Sequence, residues 1–154
     1  MTPGEFADLR SGLISGYAAE QVAAGRVGPD EAERRSAEEA DRLLPAGVDT
    51  PAMLLMAAET PDGHPVGHLW LGLEREPGTG GDAWIYDIEI IPERRGQGYG
   101  RALLSAAEEL AAQHGAVALG LNVFGGNQVA RRLYESAGYQ VSSLQMRKRL
   151  AGGG

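Results

Sequence analysis

The sequence predicts an α+β domain in which a mixed, mostly antiparallel β-sheet is flanked by helices on both faces. Three features lead there. Apolar residues recur at helical spacing through the first 44 positions, three short apolar or alternating runs follow between Met53 and Ile91, and strand-like and helix-like stretches then alternate towards the end. With 154 residues, 43% of them hydrophobic, the chain is of a size to bury one continuous core, and a single domain over 1–150 with a flexible tail at 151–154 is expected.

From Glu5 to about Ala24, Phe6, Leu9, Leu13, Ile14 and Tyr17 mark a helical face, although Gly12 and Gly16 weaken one uninterrupted helix. Gly25 to Gly28 reads as a break. Pro29 and Asp30 open a charged surface helix that reaches Leu44 and is stopped by Pro45 and Gly47. Met53 to Ala58 and Val66 to Leu73 form a hairpin around Pro61-Asp62-Gly63. After a glycine loop at Gly78 to Gly81, Trp84 to Ile91 is a third strand, rich in aromatic and β-branched residues. Pro92 ends it. Tyr99 to His114 is amphipathic, with Gly115 placed to cap it. Ala116 to Val123 reads as a buried strand, Asn127 to Ala137 as a helix stopped by Gly138, and Tyr139 to about Leu150 as one or two final strands.

Composition narrows the function. The absence of cysteine excludes a disulfide framework, a thiolate nucleophile and a cysteine metal site, and three scattered histidines lack metal-ligand spacing. A net charge of -7 argues against a nucleic-acid or membrane-surface partner, both of which demand clustered cations. Met1 to Arg10 carries no export signal and no stretch is long and apolar enough to span a bilayer, so a cytoplasmic location is expected. A homodimer is the ordinary expectation for a small enzyme.

The chemistry concentrates where a strand meets a helix through Arg95-Gly96-Gln97-Gly98-Tyr99-Gly100-Arg101. Glycines there let backbone N–H groups turn towards an anion, the helix N-terminus adds partial positive charge, and Arg95 and Arg101 add full charges. No Lys-Ser or Lys-Thr follows for a Walker loop, and the spacing does not fit G-x-G-x-x-G. A strand-to-helix turn without any ligand is the alternative reading of the loop alone. By the alternation of the preceding strand, Asp87 and Glu89 face one side while Ile88 and Ile90 face the other.

This loop resembles the pyrophosphate-binding motif of the GNAT superfamily of acetyl-CoA-dependent N-acetyltransferases. A second block, Leu121-Asn122-Val123-Phe124 through Asn127, Ala130, Leu133 and Tyr134 to Gly138-Tyr139, is similar to the family's other cofactor segment, and the two occur in the family's order. The resemblance covers roughly Leu54 to Leu150. It implies acetyl-CoA as co-substrate without a metal, held by Arg95, Gly96, Gln97, Gly98, Tyr99, Gly100, Arg101 and Asn127, with main-chain groups around Ile88 and Ile90 pairing with the pantetheine arm. It also implies Tyr134 as a contact to coenzyme A and as the acid that protonates the departing thiolate.

The reaction implied is direct transfer, in a ternary complex, to a small-molecule or peptide primary amine. Glu89 is the candidate base, directly or through a water, with Asp87 attracting the amine. Many relatives place a base glutamate where Asn122 stands, so Asn122 is read as orienting water or substrate, and the absence of a dedicated protein base is the alternative. A noncatalytic acyl-CoA-binding module is the rival function. Trp70, Trp84 and Tyr86 are read as core or as acceptor-pocket lining, and His64, His68 and His114 as solvent or turn residues.

Overall fold

A computed structural model gives the fold and describes residues 1–23, 25, 27–74 and 81–151. Contacts divide the chain into two compact units, Met1–Asn122 and Val123–Gly154. Of the segments read from sequence, Ala24, Arg26, most of the glycine loop at Gly78 to Gly81, and the terminal Gly152-Gly153-Gly154 lie outside the described residues.

The first unit opens with α1 (Pro3–Ala23), one unbroken helix despite its glycines. Each glycine costs about 1 kcal/mol relative to alanine. Two features offset this. Thr2 and Glu5 form a reciprocal cap, the Glu5 N–H donating to Thr2 Oγ1 (3.2 Å) and the Thr2 N–H to Glu5 Oε2 (2.6 Å), and Leu9, Ile14 and Ala18 are buried. Helix α2 (Pro29–Leu43) packs against α1 through small residues, Ala32, Ser36 and Ala40, and ends with Leu43 buried. Its exposed face is tied by the Glu31–Arg34, Glu31–Arg35, Arg34–Glu38 and Glu39–Arg42 ion pairs, all at the i,i+3 or i,i+4 spacing that makes helical side chains neighbours.

Strands β1 (Met53–Glu59), β2 (Pro65–Gly72), β3 (Ala83–Ile90) and β4 (Leu119–Leu121) form one sheet in that order. The first three run antiparallel and β4 lies parallel to β3, as the expected mixed sheet requires. Leu9, Leu43, Leu44, Met53, Leu55 and Trp70 join the helical pair to one face, with Phe6, Leu13 and Tyr86 packed against them. Trp70 stacks on Tyr86 (centroids 4.7 Å apart) and donates its indole N–H towards Met53 Sδ at 3.4 Å, so these two aromatics belong to the core. Helix α3 (Tyr99–Gln113) packs on β2 and β3, where Leu69, Leu71 and Leu104 are the largest fully buried side chains.

One irregularity sets the geometry of β3. Trp70 lies opposite Asp87 but Leu71 lies opposite Ile85, so Tyr86 is an extra residue in β3, a β-bulge. The parallel pairing with β4 covers only Ala83–Ile85 and stops at that bulge. This shortens β4 against the expected Ala116 to Val123, and Val117 is almost fully exposed.

In the second unit, α4 (Gln128–Ser136) is followed by Gly138 with φ of 97°. The final strands expected from Tyr139 to Leu150 are not formed. Their alternating apolar residues make a strand-like pattern, but a strand needs a ladder partner, and the sheet consists of β1 to β4 among the described residues. Val141, Leu144, Met146 and Leu150 are correspondingly exposed.

At Gly67 the sheet meets an added side chain with rigid backbone. A Cβ there would fall 1.9 Å from the Glu89 carbonyl oxygen. Gly67→Ala is expected to lower unfolding stability by about 1–3 kcal/mol in a urea titration, the usual cost of overpacking a rigid contact.

Candidate active site

Beyond β3 the chain makes a single 3-10 turn at Pro92–Arg94 and enters the loop. Gly96 (φ 73°) and Gly98 (φ 88°) are both left-handed, and an added Cβ at either would meet nothing within 4 Å. The loop therefore bounds open space that a ligand can enter up to the main chain. Gly98 is the N-cap of α3 and supplies no side-chain cap, which leaves the helix's first amides to satisfy an incoming anion. Tyr99, Gly100 and Arg101 form that first turn.

The neighbouring side chains brace the loop. Arg95 Nε donates to the Ile90 carbonyl (2.9 Å), its Nη2 lies 3.6 Å from Glu89, and Gln97 Nε2 donates to the Glu93 carbonyl (3.2 Å). Ile88 and Ile90 pair with Leu69 and Gly67 of β2, and on the opposite edge β3 runs past the last β4 pair from Tyr86 onwards.

On the sheet face that carries Trp70, the bulge and ladder bring together a histidine and two carboxylates. His68 Nε2 is hydrogen-bonded to Asp87 Oδ2 and lies 4.0 Å from Glu89 Oε2. The His68 and Asp87 side chains are 23% and 24% exposed and Glu89 is 52% exposed, so the pair is sheltered while Glu89 reaches solvent. From α1, Glu20 feels the same group: partial loss of hydration and then the Asp87 charge raise its pKa above the ordinary glutamate value. Glu20 remains exposed as a residue, so the shift carries little energy. His68, Asp87 and Glu89 each bring a side-chain nitrogen or oxygen to within 4.8 Å of one another, and the Asp87–His68 bond and the Arg95 guanidinium already balance part of the negative charge.

The second unit holds the other named residues. Asn127 caps α4, its Oδ1 accepting from the Ala130 N–H at 3.2 Å. Tyr134, half-buried on the same helix, meets the Tyr139 ring edge-on at 5.9 Å. Asn122 is exposed immediately after β4.

Two histidines lie where the sequence puts them, His64 in the hairpin turn beside Asp62 and His114 at the end of α3 with its Nδ1 2.8 Å from the Leu110 carbonyl. His68 does not: it is a half-buried strand residue. The register that sets it opposite Glu89 is a property of two strands together, although its place two residues before Trp70 already put it on that residue's face. Glu20 had no local signal at all.

An open strand-loop-helix cradle beside a sheltered acidic face suits transfer from a phosphate-bearing donor to a cationic acceptor. The model of the acetyltransferase (GNAT) family matches residues 19–139. The uncharacterized N-acetyltransferase YycN of Bacillus subtilis (strain 168) is 36% identical over 153 residues, 97% of each chain. Its crystal structure superposes with a TM-score of 0.89 over 97% of this chain and 95% of that one. A mycothiol acetyltransferase of Clavibacter sepedonicus is 32% identical over 80% of this chain and 38% of its own length. A Bacillus anthracis acetyltransferase in complex with acetyl coenzyme A shares the fold, at 22% identity and a TM-score of 0.51 over 59% of this chain and 49% of that one. The chain belongs to the GNAT family of N-acetyltransferases. It is an acyltransferase, and among the described residues no helix is long and apolar enough to cross a membrane.

Because the folded protein holds the Glu20 proton more tightly than the unfolded chain, ionising Glu20 opposes folding as pH rises above the ordinary glutamate range. Glu20→Gln is expected to raise the Tm slightly at pH about 7 and to leave it unchanged near pH 3, where both states carry the proton.

Proposed function

We propose that this chain moves the acetyl group of acetyl-CoA onto a primary amine by direct attack within a ternary complex. The observation that carries the reading is the loop at Gly96 and Gly98, left-handed, open to a ligand and uncapped by any side chain at the start of a 15-residue helix. Its main chain from Gly96 to Arg101 takes the pyrophosphate, with Arg95 and Arg101 contributing charge, and the β3 edge at Ile88 and Ile90 takes the pantetheine arm as a further strand would. Asn127 contacts coenzyme A from the cap of α4.

Transfer needs a neutral amine, a polarised thioester carbonyl and a proton for sulfur. Asp87 draws the ammonium group in, Glu89 accepts a proton directly or through water, Asn122 orients water or acceptor, and Tyr134 protonates the leaving thiolate. The exposed Glu89 beside the sheltered Asp87 supports this division, as does a Glu20, Asp87 and Glu89 surface that favours cations. The acceptor is a small molecule or peptide carrying that amine, and a homodimer is the proposed assembly.

Calorimetry of acetyl-CoA with wild type, Gly98→Ala and Gly98→Trp tests the cofactor site. Binding by wild type, weakened by the methyl group and abolished by the indole in variants whose circular dichroism is unchanged, is the expected order. Absence of wild-type binding overturns the reading, and binding without thiol release across an amine screen leaves a noncatalytic acyl-CoA module. With an active amine, Tyr134→Phe should lower kcat by about 10²-fold or more and leave the KM for acetyl-CoA unchanged.

A further inference from the structure

The imidazole of His68 has two nitrogens in different surroundings. Nε2 faces Asp87 Oδ2 at hydrogen-bonding distance and Glu89 at 4.0 Å, while Nδ1 has no hydrogen-bond partner among the described residues. A lone pair on Nε2 would point at two carboxylates and be repelled, so the proton of neutral His68 belongs on Nε2 and the lone pair on Nδ1. The charged groups around it are Asp87 and Glu89 of β3, Arg95 behind Glu89, and Glu20 of α1 beside Asp87; β1 places only Ala57 opposite His68. A sheltered carboxylate that fixes one imidazole nitrogen and frees the other is the arrangement that makes histidine a directed base.

We propose that the Asp87–His68 pair is a proton-accepting dyad for the incoming acceptor, with His68 Nδ1 as the atom that receives the proton. This rests on the acetyl-transfer reading. An amine arriving as an ammonium ion must lose two protons in all: one before its nitrogen attacks the thioester carbon, and one from the nitrogen of the tetrahedral adduct as the C–S bond breaks. One proton ends on the coenzyme A thiol and the other goes to solvent. The first is the harder to remove. An imidazole is by its chemistry a stronger base than a carboxylate, so it is the better matched of the two to taking a proton from an ammonium ion. The adduct nitrogen is far more acidic, and Glu89 suffices for it. His68 takes the first proton on Nδ1, Asp87 holds Nε2–H in place and offsets the imidazolium charge, and His68 returns its proton to solvent before the next turnover.

Two measurements test the dyad. Long-range proton–nitrogen NMR of the nitrogen-labelled wild-type protein, with His68→Gln assigning the signal, reads the tautomer without any substrate. Neutral His68 protonated on Nε2 is expected, and a neutral form protonated on Nδ1 overturns the proposal. Thiol release with the amine found in the screen then gives the pH profile of kcat/KM. His68→Gln is expected to lower kcat/KM for the amine by about 10²-fold near neutrality, to approach wild type at about pH 10 where the amine arrives neutral, and to leave the KM for acetyl-CoA unchanged. A wild-type-shaped profile in His68→Gln overturns it. Failure of the transfer reading itself shows separately, as absent acetyl-CoA binding in calorimetry, and does not alter the tautomer.

Discussion

The pairing of β2 with β3, and the single extra residue at Tyr86 within it, positions the chemical groups of the first unit. Gly67 lets the backbones close where Glu89 sits, and the register then sets His68 opposite Glu89 and Trp70 opposite Asp87. Inserting Tyr86 does two things. It keeps the aromatic ring stacked on Trp70 while Asp87 still faces His68, and the parallel pairing with β4 ends there, so among the described residues the second half of β3 has a ladder on one edge alone. A regular strand would have to give up one of these.

The two sides of the sheet serve different ends. One packs α3 against Leu69 and Leu71 and presents that helix's N-terminus at the loop; the other joins α1 and α2 through Leu9, Leu43, Leu44 and Trp70 and carries the histidine and carboxylates. The core cluster around Trp70 thus anchors the acidic face from below, and the helix that helps bury Trp70 also delivers Glu20 to Asp87. Packing and electrostatics are coupled through α1, which both covers the core and brings a carboxylate to the acidic sheet face.

How much was legible in the sequence followed from how local each feature is. The hairpin, the glycine-rich loop and the helix ends at Gly115 and Gly138 were readable because turn residues and left-handed glycines act within a few positions. Alternation alone put Asp87 and Glu89 on one face. The Tyr86 bulge, the short β4 and the pairing of His68 with Asp87 depend on which residue of another strand lies opposite, and no periodicity encodes that. The segment from Tyr139 to Leu150 shows the reverse error: Val141, Leu144 and Met146 have strand-forming character, yet propensity supplies no partner, and the segment forms no strand. Asn127 shows a residue with two readings, since the side chain placed at the cofactor by resemblance also caps its own helix.

A loop turned by two left-handed glycines has a consequence for how it tolerates change over evolutionary time. Positions 97 and 99 have ordinary backbone that other residues can adopt, although a change at 97 gives up the brace from Gln97 Nε2 to the Glu93 carbonyl. Positions 96 and 98 contribute a handedness that side chains resist and an emptiness that any Cβ fills. Sequence divergence within the loop should therefore be uneven at single-residue scale, with forbidden and permissive positions alternating from 96 to 99.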